Sequence, residues 1–267
     1  MSPTPGRLIA ELHCHTVHSS DGLITYDGLV RTARRRGIDV VCITDHDTIE
    51  GAREFQARAR TQSGAPHIVI GEERTLEDGS HLIGLFLRAP ISATRLSEAV
   101  AEIQQQGGMV LMPHPFRRKD GLLRAVAQPT ATDLLGIDAF EIFNAKGSFG
   151  DNERARSLLP MAVGVFGGSD AHYESDMGQC VCDLPACGGV EESLRAMIRR
   201  EVPFAVKGIH KSPGSDERRY APLYYRIRPF VRVPKVLLPA AKQVYRFYRN
   251  SIREPSPPVL EEVYRHA

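Results

Sequence analysis

Four short apolar runs in this chain end in histidine or aspartate, and that recurrence constrains the fold more than any other feature. Leu8 to Leu12 runs into His13-Cys14-His15, and Ile38 to Ile43 gives way to Asp45-His46. Met109 to Met112 leads to Pro113-His114-Pro115, and Met161 to Phe166 to Asp170-Ala171-His172. Strand side chains alternate faces, so His13 and His15 leave their strand on one side. Nearly continuous apolar runs of this length are those of strands buried on both faces. Thr25 can cap a helix to about Arg36 that stops at Gly37, and a second helix covers about Thr48 to Thr61. Strand and helix alternating at this spacing predict βα units around a parallel sheet. In a closed barrel of that kind the strand C-termini gather at one rim, where active sites lie.

Between these runs, His67 to Glu73 reads as a strand whose partner is Ser80 to Leu87, with Glu77-Asp78-Gly79 supplying turn chemistry. Register decides what this hairpin can do. A two-residue turn puts Leu76 opposite His81 and sends Glu73 to the other face. A three-residue turn with Gly79 left-handed puts Thr75 opposite His81, and Glu73 then shares its face. If both are ligands, the three-residue turn is required. Further on, a helix capped by Ser92 is expected over about Thr94 to Gln106, and a helical stretch after Asp120. A strand at about Asp138 to Phe143, helices at Asn152 to Leu159 and Glu191 to Arg200, and a strand at Pro203 to Val206 complete the pattern.

Residues 1–210 are expected to form the barrel and 211–267 a basic, Pro-containing extension. The extension holds 12 Lys/Arg against 5 Asp/Glu, and the rest of the chain 22 against 27. Leu237, Ala241, Val244 and Tyr248 fall at helical spacing with basic residues between them. An amphipathic helix there could pack on the barrel, lie on a membrane surface or another anionic surface, or meet nucleic acid. Met1 to Gly6 is not signal-like, and no apolar run nears the roughly 18 residues of a membrane span. Five cysteines, an odd number, do not make a disulfide framework, so a cytoplasmic protein is expected, peripheral to a membrane at most. Cys180, Cys182 and Cys187 lack a fourth ligand at ordinary spacing, and free thiols are expected there rather than structural zinc.

Six of the ten histidines (13, 15, 46, 81, 114 and 172) lie at strand ends or in the hairpin, interleaved with Asp and Glu. A lone strand-end histidine is usually a solvated residue. Six with carboxylates among them are more economically a multinuclear metal site. Imidazole and carboxylate without thiolate suit Zn, Mn or Fe and do not choose among them. A carboxylate such as Glu73 can bridge two ions, and paired ions clamp a phosphoryl group while activating a water for in-line attack. Phosphate-ester hydrolysis is the leading chemistry, and amide or amidine hydrolysis its chemical rival.

At this point the residues resemble the PHP superfamily, named for polymerase and histidinol phosphatase. His13-Cys14-His15-Thr16 with Ser19, Asp21 and Gly22 is similar to its first motif, and Ile43-Thr44-Asp45-His46-Asp47 to its second. Gly71-Glu72-Glu73, His81-Leu82-Ile83-Gly84, Pro113-His114-Pro115 and Gly168-Ser169-Asp170-Ala171-His172 follow in family order, over about residues 7–210. The resemblance implies an α/β fold, a distorted (β/α)7 barrel with two or three divalent metal ions at the C-terminal rim of its strands. Carried over by position, His13, His15, Glu73 and Asp170 would hold the first ion. Glu73 would bridge to a second completed by His81 and His114, and Asp21, His46 and His172 would hold a third. Asp21 stands where some relatives have histidine. Asp45 would orient a ligand from behind. The short interval between His81 and His114 lacks the helical insertion of relatives that act on nucleoside bisphosphates or RNA 5′ ends.

Arg117 and Arg118 follow His114-Pro115-Phe116 directly, and Lys146 also falls near a strand end; Arg117 and Lys146 are candidate phosphate contacts. The expected activity is hydrolysis of a small phosphorylated substrate, a phosphomonoester or nucleotide-like ester, through His13, His15, Glu73 and Asp170 and their metals. The alternatives are a nuclease acting on RNA or DNA ends with the tail as anchor, and a metal-stabilised module without activity.

Overall fold

Ten strands and five helices carry the chain in a computed structural model that describes residues 6–130, 132–158, 163–209 and 260–266. The strands are β1 (Arg7–Cys14), β2 (Val40–Ile43), β3 (His67–Thr75), β4 (His81–Leu85), β5 (Met109–Met112), β6 (Ala139–Asn144), β7 (Gly164–Gly168), β8 (Cys180–Pro185), β9 (Phe204–Gly208) and β10 (Glu261–His266). The helices are α1 (Tyr26–Arg36), α2 (Glu50–Ala59), α3 (Leu96–Gln105), α4 (Phe149–Ser157) and α5 (Val190–Ile198). Helix α1 matches its sequence signals: the Thr25 hydroxyl accepts the Gly28 N–H, and Gly37 closes the helix at φ 65°. Leu29, Val30 and Ala33 of α1 and Phe55 of α2 bury against Val41, Ile43 and Ile68 of the sheet. For a side chain such as Phe55 this burial contributes roughly 1.5–3 kcal/mol.

All ten strands belong to one sheet in the order β10-β9-β8-β1-β2-β3-β4-β5-β6-β7. The sheet is mixed rather than parallel throughout. β1, β2 and β3 are parallel neighbours, as are β5, β6 and β7, but β4 runs against both β3 and β5. The reason is local: a tight turn after β3 can only return the chain antiparallel, and no helix separates β3 from β4. That turn has three residues with Gly79 left-handed (φ 80°), and Thr75 pairs with His81. The register demanded by Glu73 and His81 is therefore the one adopted. The sheet curls until the segment after β7 meets β1, where His15 N–H donates to Ala171 O at 2.7 Å and Ala171 N–H to His13 O at 3.1 Å.

β8 was not apparent in the sequence. It runs antiparallel to β1 and places Cys180 and Cys182 in the interior; all five cysteines are free thiols. Ser92 does not cap α3 but bonds the Glu102 carboxylate, and Arg95 stands at the cap position without a side-chain capping bond. The stretch after Asp120 forms turns, not a helix. β9 and β10 pair antiparallel, with Gly208 opposite Glu261. By contacts the chain divides into Met1–His210 with Pro257–Ala267, and Lys211–Ser256. The second part, including the helix expected near Val236 to Tyr248, lies outside the described residues. Among those described, no helix is long and apolar enough to cross a membrane.

Candidate metal centre

The nine histidine and carboxylate side chains singled out by sequence come together at the strand ends. His13 and His15 project from the end of β1 onto Glu73 of β3 and Asp170, which follows β7. His13 Nε2 lies 3.2 Å from Glu73 Oε2 and 3.7 Å from Asp170 Oδ1; His15 Nε2 lies 3.2 and 3.4 Å from the same two atoms. The other Glu73 oxygen faces His81 Nδ1 and His114 Nε2, each at 3.0 Å. Asp21 Oδ2 is 3.0 Å from His172 Nε2 and 3.6 Å from His46 Nε2, and His46 also reaches Glu73 at 3.6 Å. His15 is common to both ends of the cluster, its ring centroid 4.7 Å from that of His46 and 4.3 Å from that of His172.

The backbone is shaped to make this convergence. His114 (φ 29°) and Asp170 (φ 52°) occupy the left-handed region that non-glycine residues avoid, a strain that persists only where surrounding contacts hold it. Gly168 lets β7 pass beneath: a Cβ there would sit 2.5 Å from both His13 Cβ and Glu141 Oε1.

The electrostatics are those of positive charge shared among carboxylates. Burial disfavours the His13 imidazolium, yet Glu73, Asp170 and Glu141 outweigh it and hold its pKa well above the ordinary value. Burial also works against protonated His15, but Asp170 and Glu73 bring it up to about 9. Burial alone would raise Glu73 and Asp170; the imidazoles, and Arg117 beside Asp170, hold both well below the usual carboxylate range. His46 and His172 go the other way, lowered by burial first and then by neighbouring positive groups.

The arrangement suits metal ions on two counts. Both ring nitrogens of His15 are buried and make no hydrogen bond of acceptable geometry, and neither do Nδ1 of His46 and His114. The nitrogens and oxygens also stand apart at the spacing of ligands around one ion. Bonds of about 2.1 Å at tetrahedral or octahedral angles separate donor atoms by roughly 2.9–3.4 Å. A cation in the cluster would take the place of the protons that the carboxylates now favour.

Four contributors were missed in the sequence: Glu11, Asp120, Glu141 and Asn144. Glu11 is buried behind the cluster and accepts the N–H groups of His13, Ser169 and Gly178; burial brings its carboxyl up to about 7. Glu141 lies 3.1 Å from His13 Nδ1 and accepts His114 N–H at 2.7 Å. Asn144 Nδ2 donates to Glu141 and reaches Asp170 at 3.3 Å. Asp120 stands 3.5 Å from His114 Nδ1. The available signal was a glutamate inside an apolar strand, which both Glu11 and Glu141 are. Asp45 does not touch a ligand ring as expected; it accepts the Thr16 N–H at 2.5 Å and the Thr16 hydroxyl at 2.7 Å, fixing the loop after His15.

The two candidate phosphate contacts stand beside the cluster. Arg117 is half-buried, donating from Nη1 to Asp170 Oδ2 at 2.6 Å and from Nε to Asp120 Oδ1 at 2.5 Å. Lys146 Nζ lies 3.3 Å from Asp176, which also accepts the N–H groups of His172 and Tyr173. Arg118 is exposed.

Buried imidazoles and carboxylates converging at the ends of curled strands define an α/β protein with a cluster of candidate metal ligands. The PHP domain profile matches residues 11–124. The uncharacterized protein MJ1587 of Methanocaldococcus jannaschii is 32% identical over 147 residues, 51% of this chain and 81% of that protein. This chain belongs to the PHP family. Two crystal structures share its fold. One is a two-domain Bacteroides vulgatus protein containing a predicted PHP-like metal-dependent phosphoesterase (TM-score 0.59, 18% identity, 76% of this chain, 65% of that one). This chain therefore spans just under two thirds of that protein. The other is the lesion-specific endonuclease of Pyrococcus furiosus (TM-score 0.58, 16% identity, 72% of this chain, 56% of that one).

Proposed function

We propose that this chain is a metal-dependent phosphoesterase whose cluster holds two or three divalent ions at the rim of a distorted (β/α)7 barrel. The observation that carries the reading is His15: a fully buried imidazole whose Nδ1 has no hydrogen-bond partner and whose Nε2 meets Glu73 and Asp170 only in ion-pair contacts of poor hydrogen-bond geometry, with His46 and His172 beside its ring. A buried polar group in that state costs about 1–3 kcal/mol unless something else binds it. His13, His15, Glu73 and Asp170 would hold one ion, Glu73, His81 and His114 a second, and Asp21, His46 and His172 a third. Zinc, manganese or iron bound there supplies an activated water and positive charge against the phosphoryl oxygens.

The chain's own residues do the placing. Glu73 turns one oxygen to each side of the cluster and so ties its halves together. Arg117, held by Asp120, keeps Asp170 oriented and would offer its remaining N–H groups to a phosphate beside the cluster. Lys146 adds a second positive charge nearby. The substrate is read as a small phosphomonoester or a nucleotide-like ester, hydrolysed in a cytoplasmic setting. The barrel is taken as residues 1–210 and the basic extension as 211–267, whose last strand returns to the sheet.

A second reading, a nuclease on RNA or DNA ends, is favoured by one observation: residues 211–267 hold 12 Lys/Arg against 5 Asp/Glu. Elemental analysis followed by a metal-reconstituted panel of phosphomonoesters and diesters tests the first reading. No hydrolysis of any ester by fully metal-loaded protein would sink it. Excising residues 212–256 while sparing β10 separates the two. A nuclease using the stretch loses affinity and part of its salt dependence, whereas a small-molecule phosphatase keeps its turnover.

A further inference from the structure

Asp21, His46 and His172 stand far apart in the chain, yet one short segment, residues 16–24, reaches all three. Asp21 belongs to it. Leu23 N–H donates to His172 O at 2.8 Å, and the Ser19 hydroxyl accepts His46 N–H at 3.2 Å. The segment is closed at its base, where Thr16 pairs with Ile24 and Val17 N–H donates to Ile24 O at 3.0 Å. Asp45 holds that base through the N–H and the hydroxyl of Thr16. Gly22 lets the chain fold back on itself, since a Cβ there would lie 2.0 Å from Thr16 O. Ser19 is the side chain through which two of the ligands meet. It is 1% exposed, and its own N–H is spent on Thr16 O at 3.1 Å. A backbone N–H only donates, so the bond from His46 uses a lone pair of the hydroxyl and leaves its hydrogen available. That hydrogen goes to Asp21 Oδ1 at 2.8 Å.

We propose that Ser19 is a positioning residue for the third ion: it locks Asp21 and the backbone of His46 into one frame and thereby sets the affinity of the ion they would hold with His172. Ser19 would touch no ion itself, and its role rests on the metal-dependent reading of the cluster. With Oδ1 of Asp21 held by Ser19, Oδ2 is the oxygen turned inward, 3.0 Å from His172 Nε2 and 3.6 Å from His46 Nε2. The Asp21 side chain is 27% exposed, the most of the three, so holding one oxygen is what directs the other. Ligands already in place lose less freedom when an ion arrives, which is how a partner behind a ligand raises affinity. Glu11 and Glu141 brace His13 and His114 from strands instead, so removal of Ser19 should be felt at one ion only.

Manganese is the probe, because such ligands bind it more weakly than zinc and its affinities fall in a measurable range. Titrated into metal-free, full-length protein and followed by the paramagnetic resonance of the unbound ion, it should fill tight sites before a weaker one. Asp21→Asn identifies the weaker site as the one Asp21 serves. Ser19→Ala should weaken that site about 10-fold and leave the tight sites unchanged. Ser19→Cys keeps the size of the side chain but donates poorly, and should weaken the same site. Ser20→Ala, at the exposed neighbour, should change none of them. Ser19→Ala combined with Asp21→Asn should cost the weaker site less than the two changes added, because Ser19 acts through Asp21. A fold merely loosened by the substitution would instead weaken every site and add to Asp21→Asn in full.

Native affinity at the weaker site in Ser19→Ala overturns the role of Ser19, as does weakening of every site alike or full additivity with Asp21→Asn. If neither Ser19 variant folds, amide exchange in metal-free native protein decides. Protection of the His46 N–H supports its bond to Ser19, and exchange at the rate of an open chain overturns it. Failure of the metal-dependent reading looks different. Native protein that binds no manganese at any site sinks that reading and the role of Ser19 with it. Tight sites that fill normally beside a weaker site indifferent to Ser19 remove the role of Ser19 alone.

Discussion

The two walls of the cluster are built differently. The inner wall, His13, His15, Glu73, His114 and Asp170, stands on or beside strands and is almost wholly buried, with side chains 0–3% exposed. The outer wall, Asp21, His46 and His172, stands on loops and is 27%, 14% and 12% exposed. The inner wall is braced by Glu11, Glu141 and Asn144. The outer wall is braced from loops: His172 Nδ1 is 2.8 Å from Asp170 O and its N–H donates to Asp176, the Ser19 hydroxyl donates to Asp21 at 2.8 Å, and His46 N–H donates to Ser19. Rigid supports raise affinity because less freedom is lost on binding, and burial strengthens each charge interaction. Ions on the inner wall should therefore bind tightly and those on the outer wall exchange.

Replacing His15 or Asp170 with Ala tests the strong side and carries the largest expected effect. Each should lower turnover by about 10³-fold or more, with loss of inner-wall metal by elemental analysis. Near-normal turnover in either variant would show that the inner wall is not the reaction centre. Asp21→Asn should be milder. One ion should be lost on dialysis and activity should fall by about 10–100-fold, returning in excess metal, with the inner ions retained. If all metal leaves together, the walls are not independent. Chelation should lower the melting temperature of the native protein, by an amount worth roughly 2.7 kcal/mol at metal a hundredfold above Kd. The Asp21→Asn variant should show most of that shift.

The smallest effect lies at the other end of β1, and it separates fold stability from the site. Asp183 accepts Arg7 Nε and Lys207 Nζ, each at 2.6 Å, and although burial would raise it these partners hold its pKa below the usual carboxylate value. A depressed carboxylate stabilises the fold above its unfolded pKa, and that contribution is lost as pH falls through the folded value. Asp183→Asn should remove on the order of 1 kcal/mol at neutral pH, since both partners are substantially solvated. Its stability should differ less from the native protein in acid. An equal loss at every pH would contradict the assignment.

How much of this was legible beforehand follows from what sequence order preserves. The strand-end histidines were readable because strand alternation and strand-end placement are local properties: His13 and His15 share a face wherever β1 lies. Asp21, and Glu73 rather than Glu72, came from the resemblance to the PHP superfamily. The hairpin register was readable only on the condition that Glu73 and His81 are both ligands, which requires the three-residue turn with Gly79 left-handed. Glu11 and Glu141 were not, because their partners sit up to 167 residues away and a glutamate in an apolar run does not say what it meets. β8 escaped because the sequence reading expected free thiols at Cys180 and Cys182 without assigning them to a strand.

The sequence by itself thus determined which residues could gather and which face each presents, through periodicity and turn chemistry. Tertiary structure alone decided the strand order, the meeting of the segment after β7 with β1, and the left-handed backbone at His114 and Asp170. It also decided which carboxylates face the cluster and which stand behind it. These depend on contacts between strands distant in sequence, where burial removes water and leaves each polar group only the partners that folding supplies.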